Sequence, residues 1–252
     1  MHRAFLLILF FLFIQLPTSH AQEAEAEKIL FVGNSYTYFW NLPQTVEAMA
    51  KEKSFPLEAR QSTSGGTHWG HHWRGERELK TRDKIEQGDF TAVVLQNHSM
   101  SALNRKDSMV HFGGLFAEQI KTKGADVYLY MTWAREWNPY MQAEIKEQYM
   151  ALGEKLRAKV VPVGPAWERA RQLRPGFPLY DDDQSHPSPL GTYLTACVFF
   201  GTFSGQSPVG LPSRLIATDS HGEKIYLNIQ SAENALFCQK VAEEILGEYR
   251  NK

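Results

Sequence analysis

Cysteine is scarce, charge of neither sign is in surplus, and apolar runs are short. The 252 residues hold 2 cysteines, which excludes a disulfide-dense scaffold and a cysteine-built zinc centre. Cys197 and Cys238 lie in the apolar stretches "TACVFF" and "ALFCQK" and read equally as buried thiols or, in an oxidising compartment, as one disulfide. Lysine and arginine number 27 against 28 aspartates and glutamates, for a formal net charge of -1. That balance provides no basic field for nucleic acid or an anionic membrane, and no block of like charge marks a tail. There is no internal repeat, low-complexity tract or long linker, and 43% hydrophobic with 22% charged residues suits a globular chain with a sizeable core.

The apolar run from Ala4 to Ile14 is well short of the roughly 20 residues a bilayer span needs. Arg3 precedes it, and Pro17, Ser19 and Ala21 follow it, the layout of an export signal cut after Ala21. Residues 1–21 therefore read as a signal peptide and 22–252 as a single domain that is secreted or periplasmic, with no stable membrane anchor. No cysteine stands at the cut to carry a lipid.

Along the rest of the chain extended and helical patterns alternate. "KILFVGN" (28–34), "PLEARQS" (56–62), "FTAVVLQ" (90–96), "DVYLYMT" (126–132) and "KVVPVG" (159–164) read as strands, three of them almost continuously apolar. Helical spacing fills 41–53, 107–124 and 139–159, with Asn41 and Asp107 as caps and Pro43 and Pro139 near helix starts. Thr67 to Gln87 reads as a loop plus a helix. Parallel strands need crossover helices and bury both faces, so the alternation implies a three-layer α/β/α sandwich with a five-stranded, mainly parallel sheet.

Ligands bind such sheets at the carboxyl ends of the strands, where strand order reverses. Ser35 follows the first expected strand, Gly65 and Gly66 the second, and Asn97 and His98 the third. The late segment "YDDDQSHPSPLGTYLTACVFF" adds Asp183 and His186, three residues apart, in a polar loop entering an apolar helix. That spacing lets a carboxylate hold an imidazole tautomer while the other ring nitrogen takes a hydroxyl proton.

A serine after the first strand, a glycine after the second, an asparagine after the third and a D-x-x-H near the C-terminus resemble the blocks of the SGNH hydrolases, or GDSL esterases. The four come in family order over the whole mature chain, and "SHPSPLGTYLTACVFFGTFSGQSPVG" is similar to a secreted bacterial subgroup. The resemblance implies a flavodoxin-like catalytic domain in which Ser35 is the nucleophile, His186 the base and Asp183 its orienter. The oxyanion hole would combine the Ser35 N–H, the N–H of Gly66 or Gly65, and the Asn97 amide, with no cofactor. Two departures concern the subgroup more than the triad: Asn34 stands where the GDSL signature has aspartate, and "LQNH" lacks the usual glycine and aspartate of the third block. An α/β-hydrolase elbow needs G-x-S-x-G, whose last glycine "GNSYT" lacks.

Trp40, Trp69, Trp73, Trp133 and Trp137 all follow expected strands. Aromatic faces with polar neighbours suit a sugar ring, so Trp69, Trp73 and Trp133 are expected to line a substrate mouth, with packing as the alternative. Arg135 in "TWAREW" either clamps a substrate carboxylate or is a surface cation. The reading is an esterase removing acyl, chiefly acetyl, groups from a carbohydrate. The alternatives are a lipid or aryl esterase and a catalytically silent carbohydrate-binding protein. His68 and His72 lie four apart and would share a helix face, one way to hold zinc, but no acidic third ligand accompanies them and no metal is assigned. Asp219 and His221 in "TDSHG" form a rival acid-histidine pair in what reads as a hairpin turn. Asn97 opens "NHS", formally a glycosylation sequon, beside an expected buried strand.

Overall fold

A computed structural model describes residues 25–250; the export-signal segment 1–21 lies outside them. In chain order the first elements are β1 (Glu27–Gly33), α1 (Ser35–Tyr38), α2 (Leu42–Glu52), β2 (Leu57–Thr63), α3 (Trp69–Arg74), α4 (Thr81–Gln87) and β3 (Ala92–Leu95). Then come α5 (Ser101–Asn104), α6 (Lys106–Thr122), β4 (Asp126–Tyr130), α7 (Met141–Leu156), β5 (Lys159–Val161) and α8 (Val163–Leu173). The last are α9 (Pro189–Ser204), β6 (Arg214–Thr218), β7 (Lys224–Ile229) and α10 (Ala232–Tyr249).

The first five strands form one sheet in the order β2-β1-β3-β4-β5, with every pairing parallel. After β1 the chain moves outward to β2 and then crosses back to lay β3 on the other side of β1. Strand order therefore reverses between β1 and β3, which opens a crevice beyond their carboxyl ends. The loops leaving those two strands carry Ser35 and Asn97.

The apolar strands follow from burial on both sides. Ile29, Phe31, Val94 and Tyr130 enter one core with Val46, Trp167, Leu194 and Val241 of α2, α8, α9 and α10. Their neighbours Leu30, Val32, Val93 and Leu129 enter the other with Trp69, Met109, Phe116 and Tyr149 of α3, α6 and α7. Side chains alternate across a strand, so a strand covered by helices on both faces has no polar row to show. Helix α9 is apolar all round because α2, α8 and α10 enclose it. Its start is set by Ser188, whose Oγ accepts from the N–H groups of Leu190 (3.1 Å) and Gly191 (3.0 Å), and by Pro189 in the first turn.

The expected strand 159–164 ends at Val161, because Pro162 has no N–H to continue the ladder and α8 begins one residue later. The 67–87 segment holds two helices, α3 and α4. Strands β6 and β7 pair antiparallel, and the Asp219 carboxylate closes their turn by accepting from the N–H groups of His221 (2.8 Å) and Glu223 (2.9 Å). That employs the rival pair in a hairpin. Cys197 and Cys238 are free thiols buried in α9 and α10, and burial pushes both thiol pKa values up. Among the described residues, no helix is long and apolar enough to cross a membrane.

Candidate active site

Three side chains from opposite ends of the chain meet above the crevice. Ser35 Oγ lies 2.8 Å from His186 Nε2, and His186 Nδ1 hydrogen-bonds Asp183 Oδ2. A carboxylate accepts only, so Nδ1 carries the proton and Nε2 is left as acceptor for the Ser35 hydroxyl. The other carboxylate oxygen accepts from the backbone N–H groups of His186 (2.8 Å) and Ser185 (3.0 Å). Burial pushes the Asp183 carboxyl up, but the hydrogen bonds from His186 and Ser185 outweigh it and hold it below the usual value.

The turn that carries Ser35 is built by residues with no obvious chemistry. Asn34 caps α1, its Oδ1 accepting from Tyr36 N–H (3.0 Å), while its Nδ2 donates to the Thr67 carbonyl (2.8 Å) in the glycine loop after β2. Gln96 Oε1 accepts from Asn34 N–H (2.7 Å) and from the Thr37 hydroxyl (3.0 Å). That approach requires glycine at 33, where a Cβ would stand 2.4 Å from Gln96 Oε1. As the first residue of α1, Ser35 leaves its own N–H without an intrahelical acceptor. Gly66, exposed in the turn after β2, has a φ of +64°, a conformation glycine adopts at no steric cost.

Asn97 is 2% exposed, which removes it as a glycan acceptor. Its Oδ1 accepts from Trp69 N–H (3.1 Å) and His98 N–H (2.9 Å). With the carbonyl end fixed, the amide NH2 is the end free to donate.

The His186 loop rests on stacked rings. Tyr36 lies flat on Trp133 with centroids 4.6 Å apart, and Trp133 lies on Trp167 at 3.8 Å. Trp133 Nε1 donates to the Ser185 carbonyl (3.0 Å), and the Tyr36 hydroxyl meets Ser185 Oγ (2.7 Å). Phe39 stacks on the His186 ring at 4.6 Å. Trp40 Nε1 donates to the Pro187 carbonyl (2.8 Å) while the residue stays 44% exposed.

The expectation that Trp69, Trp73 and Trp133 line a substrate mouth is therefore corrected. Trp69 and Trp133 are 1% and 2% exposed, held in the two cores. Trp73 packs edge-on against Phe116 of α6 beneath Arg82 of α4. Trp40 and Trp137 are the exposed tryptophans among those after strands. Arg135 stands beside the site: Nη1 donates to the Tyr36 hydroxyl (2.7 Å) and Nη2 to Ser99 Oγ (2.8 Å). His72 does not pair with His68 around a metal. Both its ring nitrogens are engaged beneath the Ser35 turn, Nε2 with the Gly33 carbonyl (3.0 Å) and Nδ1 with Thr81 Oγ1 (2.7 Å).

No family model matches the chain, and no curated protein matches it. Solved structures do. A DUF4886 family protein from Bacteroides uniformis superposes with a TM-score of 0.72 at 15% identity, over 90% of this chain and 97% of its own. A candidate SGNH hydrolase from Slackia heliotrinireducens gives 0.62 at 20% identity, over 71% of this chain and 100% of its own. This chain has the SGNH-hydrolase fold. An acetyl xylan esterase shares that fold at a TM-score of 0.57 and 14% identity, over 69% of this chain and 98% of its own. The SGNH order of serine, glycine, asparagine and histidine thus sits on matching architecture. Sequence reasoning missed Asn34 as a cap, Gln96, Tyr36 and Phe39. The polar pair Gln96–Asn97 directly after an apolar strand was the one available signal.

Proposed function

We propose that the protein is a serine esterase acting through an acyl-enzyme on Ser35. The observation that carries this reading is the Ser35–His186–Asp183 relay, with hydroxyl and imidazole 2.8 Å apart and a carboxylate fixed on the far nitrogen. Ser35 Oγ attacks the ester carbonyl as His186 Nε2 takes its proton. Negative charge then collects on the carbonyl oxygen, where the N–H groups of Ser35 and Gly66 and the Asn97 amide are the donors. The tetrahedral adduct collapses, the C–O bond to the alcohol breaks, and His186 returns the proton to the departing oxygen. A water deprotonated by His186 attacks the acyl-Ser35 carbonyl in the same way, releasing the acid and restoring the serine.

O-acetyl groups on a carbohydrate are the substrate class this reading favours. Its support is Trp40, an exposed ring tied to the residue after His186, since an exposed indole face beside a reacting centre suits a sugar ring. The acetyl xylan esterase of the same fold is consistent with that class. In the same reading residues 1–21 direct export, with cleavage after Ala21.

Fluorophosphonate labelling together with acetate release from a panel of acetylated glycans tests the proposal. Label on Ser35 and acetate from a glycan are expected. Glycan binding without label would make the protein a silent binding module, and turnover confined to long-chain esters would make it a lipid esterase.

A further inference from the structure

Arg135 is a half-buried cation placed between the two halves of the site. It bonds Tyr36, the residue after the nucleophile, and Ser99, two residues past Asn97. Both partners are neutral hydroxyls, and among the described residues no carboxylate lies within ion-pair distance of the guanidinium. A guanidinium has five N–H donors, and this one spends two of them on protein oxygens. Withdrawing such a charge from water costs free energy that hydroxyls do not return in full, so the position favours an anion from outside.

The surroundings point the same way. His98 Nδ1 accepts from Met100 N–H (3.3 Å) and His68 Nδ1 from Gly70 N–H (3.1 Å). In both rings the proton therefore resides on Nε2, a donor with no acceptor among the described residues. Burial, then Arg135 and Arg105, lower the His98 pKa, while burial, His71 and Arg105 bring that of His68 to about 4. Near neutral pH both rings are thus uncharged donors, and that of His98 lies in the field of the Arg135 charge. Donors without acceptors, carried on the segments that follow β2, β3 and β4, fit an acceptor-rich anion better than a neutral sugar face.

We infer that the ester hydrolysed at Ser35 carries a carboxylate, held by the Arg135 guanidinium with His98 Nε2–H as a second donor. The inference rests on the esterase reading and narrows it. A carboxylate can belong to the alcohol, as in an acetylated uronic acid, or to the acyl group, as in a hemisuccinate.

The test compares kcat/KM for two matched pairs: acetylated glucuronic acid against acetylated glucose, and an aryl hemisuccinate against the aryl acetate. The wild-type protein should prefer the charged member of one pair, and which pair responds identifies the side bearing the anion. In Arg135→Gln that charged-to-neutral ratio should fall by about 10- to 100-fold, the worth of a charge-assisted hydrogen bond. Arg135→Lys should keep part of the preference, and raised salt should erode it in the wild type. If Arg135 merely props Tyr36, both members of a pair lose rate equally and the ratio stays put, which overturns the inference. Ratios near one in the wild type overturn it as well, while turnover of the neutral esters keeps the esterase reading standing. No turnover of any ester and no label on Ser35 would remove both.

Discussion

Trp133 Nε1 donates to the Ser185 carbonyl at 3.0 Å, so a tryptophan 52 residues away in sequence fixes the loop that presents His186. The same ring lies between Tyr36 and Trp167. In the esterase reading it acts through the position of His186 and not by touching substrate, since it is 2% exposed.

Trp133→Ala should accordingly lower kcat/KM on a small aryl acetate and on an acetylated oligosaccharide alike. The cavity should cost about 3 to 5 kcal/mol of stability, the usual range for a buried aromatic truncated to alanine. Melting curves and paired rate measurements check this. A loss confined to the oligosaccharide would return Trp133 to the substrate mouth.

Trp40 is the residue expected to separate those substrates. The residue is 44% exposed and its ring is joined to the His186 loop through Pro187. Trp40→Phe should weaken turnover of the oligosaccharide more than that of the aryl acetate, chiefly through KM, because stacking area is lost where a sugar would lie. Parallel losses on the two substrates would leave the carbohydrate reading without its support.

Ser35→Ala should fold and lose about 10⁴-fold or more in rate, and His186→Ala should lose turnover and probe labelling together, since triad members act as a unit. His221→Ala, in the exposed hairpin turn, should be near neutral. Asn97→Asp keeps an acceptor for Trp69 and His98 N–H but removes the amide donor, and should cost at least about 10²-fold in kcat. Normal rates in folded Asn97→Asp would take Asn97 out of the oxyanion hole.

What could be read from the sequence and what could not divide along a physical line. Strand ends and the three-residue step from Asp183 to His186 are local patterns, and the parallel sheet brings them to one edge whatever the details of packing. Which way a side chain faces is not local. Trp69 and Trp133 follow strands just as Trp40 does, yet two are core and one is surface, decided by partners such as Tyr36, Trp167 and Ser185 that lie far off in sequence. Helix α8 was hidden for a different reason: Pro162, Gly164 and Pro165 look like a turn, but proline costs little in a first helical turn.

His72 supplies the last expectation, in stability rather than rate. It is 1% exposed and its Nε2–H donates to the Gly33 carbonyl beneath the Ser35 turn. Burial lowers its pKa from 6.5 to about 4, partly opposed by the Gly33 hydrogen bond. Between those values the unfolded chain binds a proton that the folded chain refuses. Stability is therefore fully present above about pH 7, declines as the pH falls through 6.5, and stops declining from this source below about 4, for a total on the order of 3 kcal/mol. Denaturant midpoints measured from pH 7.5 to 5 capture most of that window before carboxylates such as Asp183 begin to protonate. His72→Gln keeps an N–H donor for Gly33 and has no such ionisation, so its midpoint should change less with pH even if it is less stable throughout. An equal pH slope in the two proteins would show that His72 takes up its proton without strain, and that the clamp under Ser35 is looser than its hydrogen bonds imply.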